Sequence, residues 1–495
     1  MYFEESVRSA LHQEIPSHLL HHHQTGATSL SGVQFDVVVC CYDDASTDKS
    51  LELLYTLKED CAKATSSPCE SKLLSATLLI GTAPKGTSSR GAGYARNQAV
   101  KLRQINNSYT NIVEDDVNLF HFLCVLDSDD IMHPTRIAEQ TSAMLSLGYD
   151  GRKRKHLSEN ALMGCQFDRI PSDSTWHYAK WANSLTDERV RLERFRECTL
   201  LQPTWFLSKS WFESLGGWFE APTTDEEKKK LMNSGTSSYY RLVHSSELAI
   251  DKSGEMSPTL RLAEDTRFFY AHLRAGGTLH LHRTSIPLVS YRHRVGMSQS
   301  SCTPRKLLMN LRAKAWEDIV FSKEGSNVWS KRGFAIWGAG RDGKDFLKAL
   351  TPEVASQVVC FVDVDYNKIE KIKLYNNPSI GRTIPILHFS TLANDSNTCS
   401  IDRVAFGRVN KEKMSGDSFD TISQKDRHER GQRQRKKPKT QLKVTEAKPH
   451  ATLDPNALRD LPVVVTVAMY RTNGALESNV ASIGRIEGEN LWHIS

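Results

Sequence analysis

Short apolar runs that end abruptly in polar residues alternate with longer amphipathic stretches over the first 300 residues of the chain. Apolar, β-branched runs of this kind are typical of buried strands in a parallel sheet. The pattern predicts helices at 2–14, 50–58, 91–102 and 266–275, and strands at 35–41, 77–80, 120–126 and 162–167. This alternation predicts a doubly wound α/β domain over residues 1–300.

A smaller C-terminal α/β domain is predicted over residues 330–495. A predicted strand, Phe334 to Trp337, leads into a GxGxxG turn made by Gly338, Gly340 and Gly343. In dinucleotide-binding folds such a turn holds a pyrophosphate, and an acid at the end of the next strand, here Asp363, holds a ribose. A glycine pattern alone has many false positives, and no hydride-accepting site accompanies it. We therefore favour a structural Rossmann-like module over NAD binding.

Two polar stretches interrupt the predicted domains. Residues 221–260 are rich in Ser and Lys and are expected to be a disordered insertion in the first domain, and 411–460 is a basic, low-complexity insertion in the second. Residues 425–448 contain ten Lys or Arg and three acidic residues, whereas the formal net charge of the whole chain is +6. The basic segment could contact phosphates, or it could be a solvated or targeting segment.

The composition, with 39% hydrophobic and 25% charged residues, is that of a globular protein with room for two or three domains. Ten cysteines occur without a CxxC pair, which argues against zinc and for a reducing compartment. No apolar run reaches the roughly 18–20 residues of a membrane span. We expect a cytoplasmic protein without a membrane partner, and the sequence does not indicate an oligomeric state.

The run 120–126 ends in Asp127, Ser128, Asp129 and Asp130. Ligands of open α/β sheets bind beyond the carboxyl ends of strands. Three carboxylates in four residues repel one another unless a cation or a hydrogen-bond donor shares the site. Mg²⁺ and Mn²⁺ prefer oxygen ligands and usually accompany a phosphate-bearing substrate. The sequence thus predicts a Mn²⁺ or Mg²⁺ site here, although a polar turn is the alternative.

Further polar groups occur in a fixed order: Asp43-Asp44, Arg96-Asn97, the acidic stretch at 127–130, and Glu264-Asp265. In this order and spacing they resemble the inverting family-2 glycosyltransferases of GT-A fold, whose pattern runs DDxSxD, ARN, DxDD and ED. The resemblance spans about residues 2–300. It implies a nucleotide-sugar-binding domain that transfers a hexose from a UDP-sugar with inversion.

The resemblance also implies roles for individual residues. The catalytic pair would be Asp265, as the general base for the acceptor hydroxyl, and Glu264. A helix N-cap role for Asp265 remains open. The implied donor-binding residues are Asp43, Asp44, Arg96, Asn97 and Asp127.

The implied metal ligands are Asp127, Asp129 and His293. Family members often carry a histidine in a YRxH pattern, whereas Arg294 occupies that position here. A second departure concerns the start of the chain, because the helix at 2–14 resembles one that follows a central strand. We expect that the sequence is truncated and lacks this first strand.

Longer strings resemble the queuosine-tRNA galactosyltransferases, and this likeness extends into the second domain. The strings are 90–100, 203–206, 264–265, 268–270, 272–274, 361–365 and 384–389. They imply transfer of galactose from UDP-galactose to the cyclopentenediol of queuosine in a tRNA anticodon loop. Two alternatives stay open, namely hexosyl or N-acetylglucosaminyl transfer to a glycan, and a non-catalytic nucleotide- or RNA-binding protein.

An RNA acceptor would expose bases that stack on aromatic side chains. Trp205, Trp181 and Tyr178 are the candidate acceptor-binding residues. A core position is the alternative for each tryptophan.

Overall fold

The computed structural model describes residues 2–20, 29–65, 74–106, 120–147, 159–233, 243–250, 256–294, 303–322, 327–377, 381–393, 455–469 and 474–494. Over these residues the chain is a mixed α/β protein, which confirms the predicted class. The helices of the first half are α1 Tyr2–Leu11, α2 Ser17–Leu20, α3 Ser50–Thr65, α4 Ala92–Asn106, α5 Arg136–Leu147, α6 Trp176–Ser184, α7 Asp187–Leu192, α8 Lys209–Ser214, α9 Asp225–Asn233 and α10 Glu264–Arg274. Its strands are β1 Phe35–Asp43, β2 Leu74–Thr82, β3 Phe122–Cys124, β4 Ile131–Met132, β5 Ala161–Cys165, β6 Phe167–Ile170, β7 Phe206–Ser208, β8 Thr278–His282 and β9 Val289–Arg292.

The second half begins with α11, Arg305–Trp316, which continues as a π-helical turn at Glu317–Phe321. Its further helices are α12 Asn327–Arg332, α13 Arg341–Ala349, α14 Pro352–Ala355, α15 Tyr366–Lys371, α16 Pro455–Arg459 and α17 Ala475–Ser482. Its strands are β10 Phe334–Trp337, β11 Val358–Asp363, β12 Leu374–Asn377, β13 Arg382–His388, β14 Val463–Val465 and β15 Leu491–His493.

The described strands of the first half form three separate sheets instead of the single doubly wound sheet expected from the sequence. β1 and β2 pair in parallel, a mixed sheet has the order β3-β7-β5-β8, and a small sheet has the order β4-β9-β6. β7 is antiparallel to both of its neighbours, β3 and β5. Strand-to-helix alternation in the sequence cannot indicate such a reversal.

β1 and β3 each pair with one strand among the described residues, β2 and β7 respectively. Residues of both strands line one cavity of about 2000 Å³. An additional central strand of the first domain, expected from the sequence, stays a prediction.

The second half is built on a six-stranded sheet with the order β12-β13-β11-β10-β14-β15. β12 is antiparallel, and the remaining neighbours are parallel. β10 and β14 are completely buried, as expected for central strands covered on both faces. The strand order reverses between β10 and β14, and this switch point lies beside the glycine-rich turn.

The two halves share one hydrophobic core. Trp316 on α11 packs its ring 5.3 Å from Phe334 on β10. Trp492 on the last strand lies edge-on to Phe195, 5.2 Å between ring centroids, and Phe195 in turn stacks on Tyr270 of α10 at 6.3 Å. The last strand therefore supports a helix of the first half.

The prediction of a disordered insertion at 221–260 is wrong for the residues that the structure describes there. α9 and two short 3-10 turns lie within it, and Leu231 and Leu260 pack on Phe219. Buried Glu247 forms an ion pair of 2.7 Å with buried Arg267. A few anchoring side chains thus order a largely polar segment. Residues 234–242, 251–255 and the 411–454 part of the basic insertion lie outside the described residues.

Every helix that the structure describes is too short or too polar to pass through a lipid bilayer.

The glycines of the GxGxxG turn provide a matched pair for a stability test. A Cβ on Gly343 would lie 2.0 Å from the carbonyl oxygen of Gly338, whereas one on Gly340 would meet nothing within 4 Å. We expect Gly343→Ala to lower the free energy of unfolding by about 1–3 kcal/mol or more, because α13 must move away from β10. Gly340→Ala should cost less than about 1 kcal/mol. Denaturant unfolding measures both, and equal effects would contradict close packing at Gly343.

Candidate functional site

Four acidic residues from separate parts of the first half line the same cavity. Asp44 follows β1, Asp127 and Asp129 follow β3, and Asp265 lies in the first turn of α10. The sequence predicts this convergence, since ligands of open α/β sheets bind beyond the carboxyl ends of the strands. The structure thus places Asp129 and Asp265 among the residues that line one connected cavity.

Arg96 on α4 connects two of these segments. Its Nη2 donates to Oδ1 of Asp127 at 2.6 Å, and its Nη1 donates to Oε1 of Glu264 at 2.9 Å. Burial opposes its charge, but Asp127 and Glu264 together raise the pKa of the Arg96 guanidinium. The absent side chain of Gly93 lets α4 lie against the backbone of Phe219 and beside Glu264.

Asp44 holds the loop before α4 with one carboxylate oxygen. Its Oδ2 accepts hydrogen bonds from Ser89 Oγ at 2.7 Å, Arg90 N at 2.7 Å and Gly91 N at 2.8 Å. Its buried Oδ1 has no hydrogen-bond partner in the described part of the chain. Asp43 is buried and accepts from Ser46 N at 3.3 Å. One oxygen of Asp44 is therefore left to accept a ligand's N–H.

The environment of Asp265 suits a proton acceptor. Burial, and then the neighbouring charge of Glu264, raise the pKa of Asp265 to about 6. Its Oδ1 accepts from the backbone N–H of Thr266 at 2.6 Å and from the Thr266 hydroxyl at 3.2 Å. The N-cap of α10 is Ala263, with φ 57°, so Asp265 is not the N-cap residue. Left-handed backbone at a non-glycine residue is strained and is common at functional sites.

The acidic residues after β3 are held by arginines of the β9 end. Asp129 Oδ2 lies 3.1 Å from Arg294 Nη2, and fully buried Asp130 accepts from the backbone N–H of Arg292 at 2.8 Å. Burial, and then the charge of Asp127, raise the pKa of Asp130 to about 8. His293 also lines the cavity. Arg294 thus neutralises the charge of Asp129, the predicted metal ligand.

No cluster of three or more His, Cys, Asp or Glu in the described ranges is arranged to hold a metal ion. The carboxylates of Asp127 and Asp129 are nevertheless the hard oxygen ligands that Mg²⁺ and Mn²⁺ prefer. Mg²⁺ is commonly bound by one or two carboxylates together with substrate phosphates. The residues present therefore fit an ion that arrives with a diphosphate, and not a cage formed by the protein alone.

Asn97 corrects one predicted role. Its Nδ2 donates to Trp218 O at 2.9 Å and to Glu220 Oε1 at 2.8 Å, and its Oδ1 accepts from Trp218 N at 2.9 Å. With its amide satisfied in this way and 7% of the residue exposed, Asn97 fastens the 217–220 loop to α4 and does not bind a donor.

The candidate acceptor aromatics have different positions. Trp205 is 0% exposed, and its Nε1 donates to Leu200 O at 3.0 Å, so it is a core residue and offers no stacking surface. Trp181 packs on the core and donates its Nε1 to Glu193 at 2.7 Å. Tyr178 is the one of the three that is both partly exposed and on the cavity wall.

Arg169 and Gln202 are among the polar residues of the cavity wall that the sequence did not single out. Arg169 occupies an inward position of β6, whose burial alternates from Phe167 to Ile170. A charged residue on the buried face of an alternating strand was the signal that could have revealed it. Gln202 carries no comparable signal.

A search of the chain against protein-family models finds no match. The site is therefore interpreted from its geometry and chemistry.

Asn97→Ala tests the corrected role. Loss of the bonds to Trp218 and Glu220 should lower the free energy of unfolding by about 2–4 kcal/mol, because buried partners lose their hydrogen bonds. The control is Asn160→Ala, which removes a solvent-exposed hydrogen bond to Gly276 O from a partly buried side chain and should cost less than about 1 kcal/mol. Denaturant unfolding gives both values, and calorimetric titration of UDP-sugar checks the donor site. A stable Asn97 variant with much weaker donor binding would contradict the structural role.

Proposed function

We propose that the chain is an inverting GT-A glycosyltransferase that moves a hexose from a UDP-sugar to an acceptor hydroxyl. The observation that supports this proposal is the convergence of Asp127, Asp129 and Asp265 on one cavity, where Arg96 joins Asp127 to Glu264. A nucleotide-sugar reaction needs a group that stabilises a leaving diphosphate and a group that accepts a proton. Both kinds of group occur in this cavity.

The donor would be held by its base and by its phosphates. The free Oδ1 of Asp44 can accept the imide N–H of uracil. The guanidinium groups of Arg96 and Arg294 lie beside Asp127 and Asp129 and supply positive charge where a diphosphate would bind. Asp127 and Asp129 would also hold Mn²⁺ or Mg²⁺, which when bound stabilises the charge of the departing diphosphate.

The acceptor would react in a single displacement. Its hydroxyl oxygen attacks the anomeric carbon, the bond from that carbon to the UDP oxygen breaks, and UDP leaves with the electron pair. Asp265 takes the hydroxyl proton, for which its carboxylate must be ionised. Glu264 stays paired with Arg96 and adds negative charge that raises the pKa of Asp265. One displacement inverts the anomeric configuration.

The particular reaction proposed is transfer of galactose from UDP-galactose to queuosine in tRNA. Its support is the likeness of residues 90–100, 264–265 and 361–365 to the queuosine-tRNA galactosyltransferases. A cytoplasmic location is part of this proposal.

A panel of radiolabelled UDP-hexoses, incubated with queuosine-containing tRNA or with glycan acceptors, tests the proposal. Galactose transfer to tRNA that requires Mn²⁺ or Mg²⁺ and stops with a chelator is the expected result. Transfer to glycans alone would show that the acceptor is a glycan and not tRNA. Absence of transfer and of UDP-galactose binding across the panel would reject the function.

Asp265→Asn keeps the side-chain shape but removes the base. We expect transfer to fall by at least about 100-fold, the usual contribution of general-base catalysis, while UDP-galactose binding changes by less than about threefold. Steady-state transfer assays and calorimetric titration measure the two quantities. Equal losses of transfer and of donor binding would contradict the base assignment.

The pKa of Asp265 predicts the acidic limit of activity. Because the base must be deprotonated, kcat/KM should rise with pH up to about 6 and level off above it. The slope of log(kcat/KM) below this point should be one for a single proton. If the acidic limb of the pH profile is centred near 3.8, the ordinary pKa of an aspartate, burial does not raise the pKa of the essential base.

A further inference from the structure

Each of the two aspartates predicted to hold the metal ion forms an ion pair with an arginine. Oδ1 of Asp127 lies 2.6 Å from Nη2 of Arg96, and Oδ2 of Asp129 lies 3.1 Å from Nη2 of Arg294. A guanidinium group and a divalent cation repel one another when they share a carboxylate. An ion that binds to Asp127 and Asp129 must therefore displace at least one of the two arginines or bind against its charge.

The two arginines differ in how firmly the fold holds them. The side chain of Arg96 is 20% exposed, forms a second ion pair of 2.9 Å with Glu264 and lies 5.7 Å from the Trp218 ring. The side chain of Arg294 is 38% exposed, and Asp129 is its one ion-pair partner in the described part of the chain. Breaking a buried ion pair is far more costly than breaking an exposed one. Arg294 is therefore the arginine that can leave its carboxylate.

The backbone next to Arg294 is anchored independently of Asp129. The backbone N–H of Arg292 donates to Oδ1 of Asp130 at 2.8 Å, and its Nη2 lies 2.8 Å from Oε2 of Glu5. The ring of Tyr2 contacts both arginines, with its centroid 4.1 Å from the guanidinium carbon of Arg292 and 5.0 Å from that of Arg294. The end of β9 thus stays in place when the Arg294 side chain changes its partner.

A diphosphate in the cavity would offer Arg294 a new partner. Arg294 lines the same cavity as Asp129, and the planar fork of an arginine donates two parallel hydrogen bonds to phosphate oxygens. The same diphosphate supplies oxygen ligands to Mg²⁺ or Mn²⁺. Movement of Arg294 from Asp129 to a phosphate would free a carboxylate for the ion when the other ligands of the ion arrive.

We propose that Arg294 couples metal binding to donor binding: it pairs with Asp129 until a UDP-sugar binds, and then moves to the diphosphate and leaves Asp129 to the ion. The inference rests on the glycosyl transfer proposed above and concerns the regulation of its site. Mn²⁺ alone then binds weakly, because it must compete with Arg294. Since coupling between two ligands is reciprocal, Mn²⁺ strengthens UDP binding by the same factor by which UDP strengthens Mn²⁺ binding.

Arg294→Gln removes the competing cation and tests the coupling. Calorimetric titration of the full chain gives the Kd of Mn²⁺ alone and with saturating UDP. Mn²⁺ alone should bind the variant about three- to fivefold more tightly than the wild-type protein, the effect of losing one exposed ion pair. The ratio of Mn²⁺ affinities with and without UDP should fall at least about threefold. An unchanged or weaker affinity for Mn²⁺ alone would overturn the inference, and so would an unchanged ratio, which means that Arg294 acts only through its charge.

Two further variants separate the contact of Arg294 from its charge. Arg294→Lys keeps a cation beside Asp129 but lacks the fork, so its affinity for Mn²⁺ alone should stay within about twofold of wild type while UDP binds more weakly. A Lys variant that binds Mn²⁺ as tightly as the Gln variant would contradict competition for Asp129.

The matched control is Arg283→Gln. The Arg283 side chain is 39% exposed and pairs with Asp187 at 2.9 Å, and neither residue lines the cavity. This variant should leave the Kd of Mn²⁺ within about twofold, because charges far from the site are screened. An effect as large as that of Arg294→Gln would assign the change to net charge and overturn the inference. Thermal unfolding shows that each variant keeps its fold.

Uridine and a transfer assay separate this inference from the proposed function. Uridine has no phosphate and should not tighten Mn²⁺ binding to the wild-type protein, so tightening by uridine would overturn the exchange of Asp129 for a phosphate. Galactose transfer by a protein whose Arg294→Gln variant binds Mn²⁺ as wild type does would support the function and reject the coupling. Absence of transfer, with the expected Mn²⁺ and UDP results, would reject the function and support the coupling.

Discussion

The two ion pairs of Arg96 hold the site together. Its guanidinium group joins α4, the turn after β3 and the first turn of α10 through Asp127 and Glu264. Without this cation, two partly buried carboxylates from different segments would face one another, and their repulsion would separate the segments. The close approach of α4 that the pairing needs is possible because residue 93 is a glycine. One residue thus fixes both the geometry and the charge of the cavity.

The carboxylates of the cavity differ in whether a cation lies beside them to balance their charge. This difference determines which of them can accept a proton. Glu264 is paired with Arg96 and Asp129 with Arg294, so each has a cation beside it. The hydrogen bonds to Asp265 that the structure describes come from neutral groups of Thr266, and burial then favours its protonated form. A carboxylate with a pKa near 6 can take up a proton during a reaction and release it again near neutral pH.

Part of this arrangement could be predicted from the sequence, because the ends of apolar runs marked Asp44 and Asp127, whereas Asp265, at the start of a predicted helix, was expected only from the resemblance. Other parts could not. Asn97 shares a motif with Arg96, yet its amide turns toward the 217–220 loop, and only the tertiary fold determines which side of a helix meets which loop. The burial of Trp205 could not be predicted either, because the sequence does not show whether an aromatic ring is covered by other residues. The separate sheets of the first half depend on the antiparallel pairing of β7, which local patterns do not encode.

The last strand has a significance beyond its own sheet. Trp492 on β15 meets Phe195, and Phe195 meets Tyr270 on the helix that begins with Glu264 and Asp265. Removal of the Trp492 ring would leave the cavity's own residues unaltered, yet it would uncover Phe195 and remove the outer support of that helix. The helix that carries Glu264 and Asp265 is therefore supported by a strand of the other half of the chain.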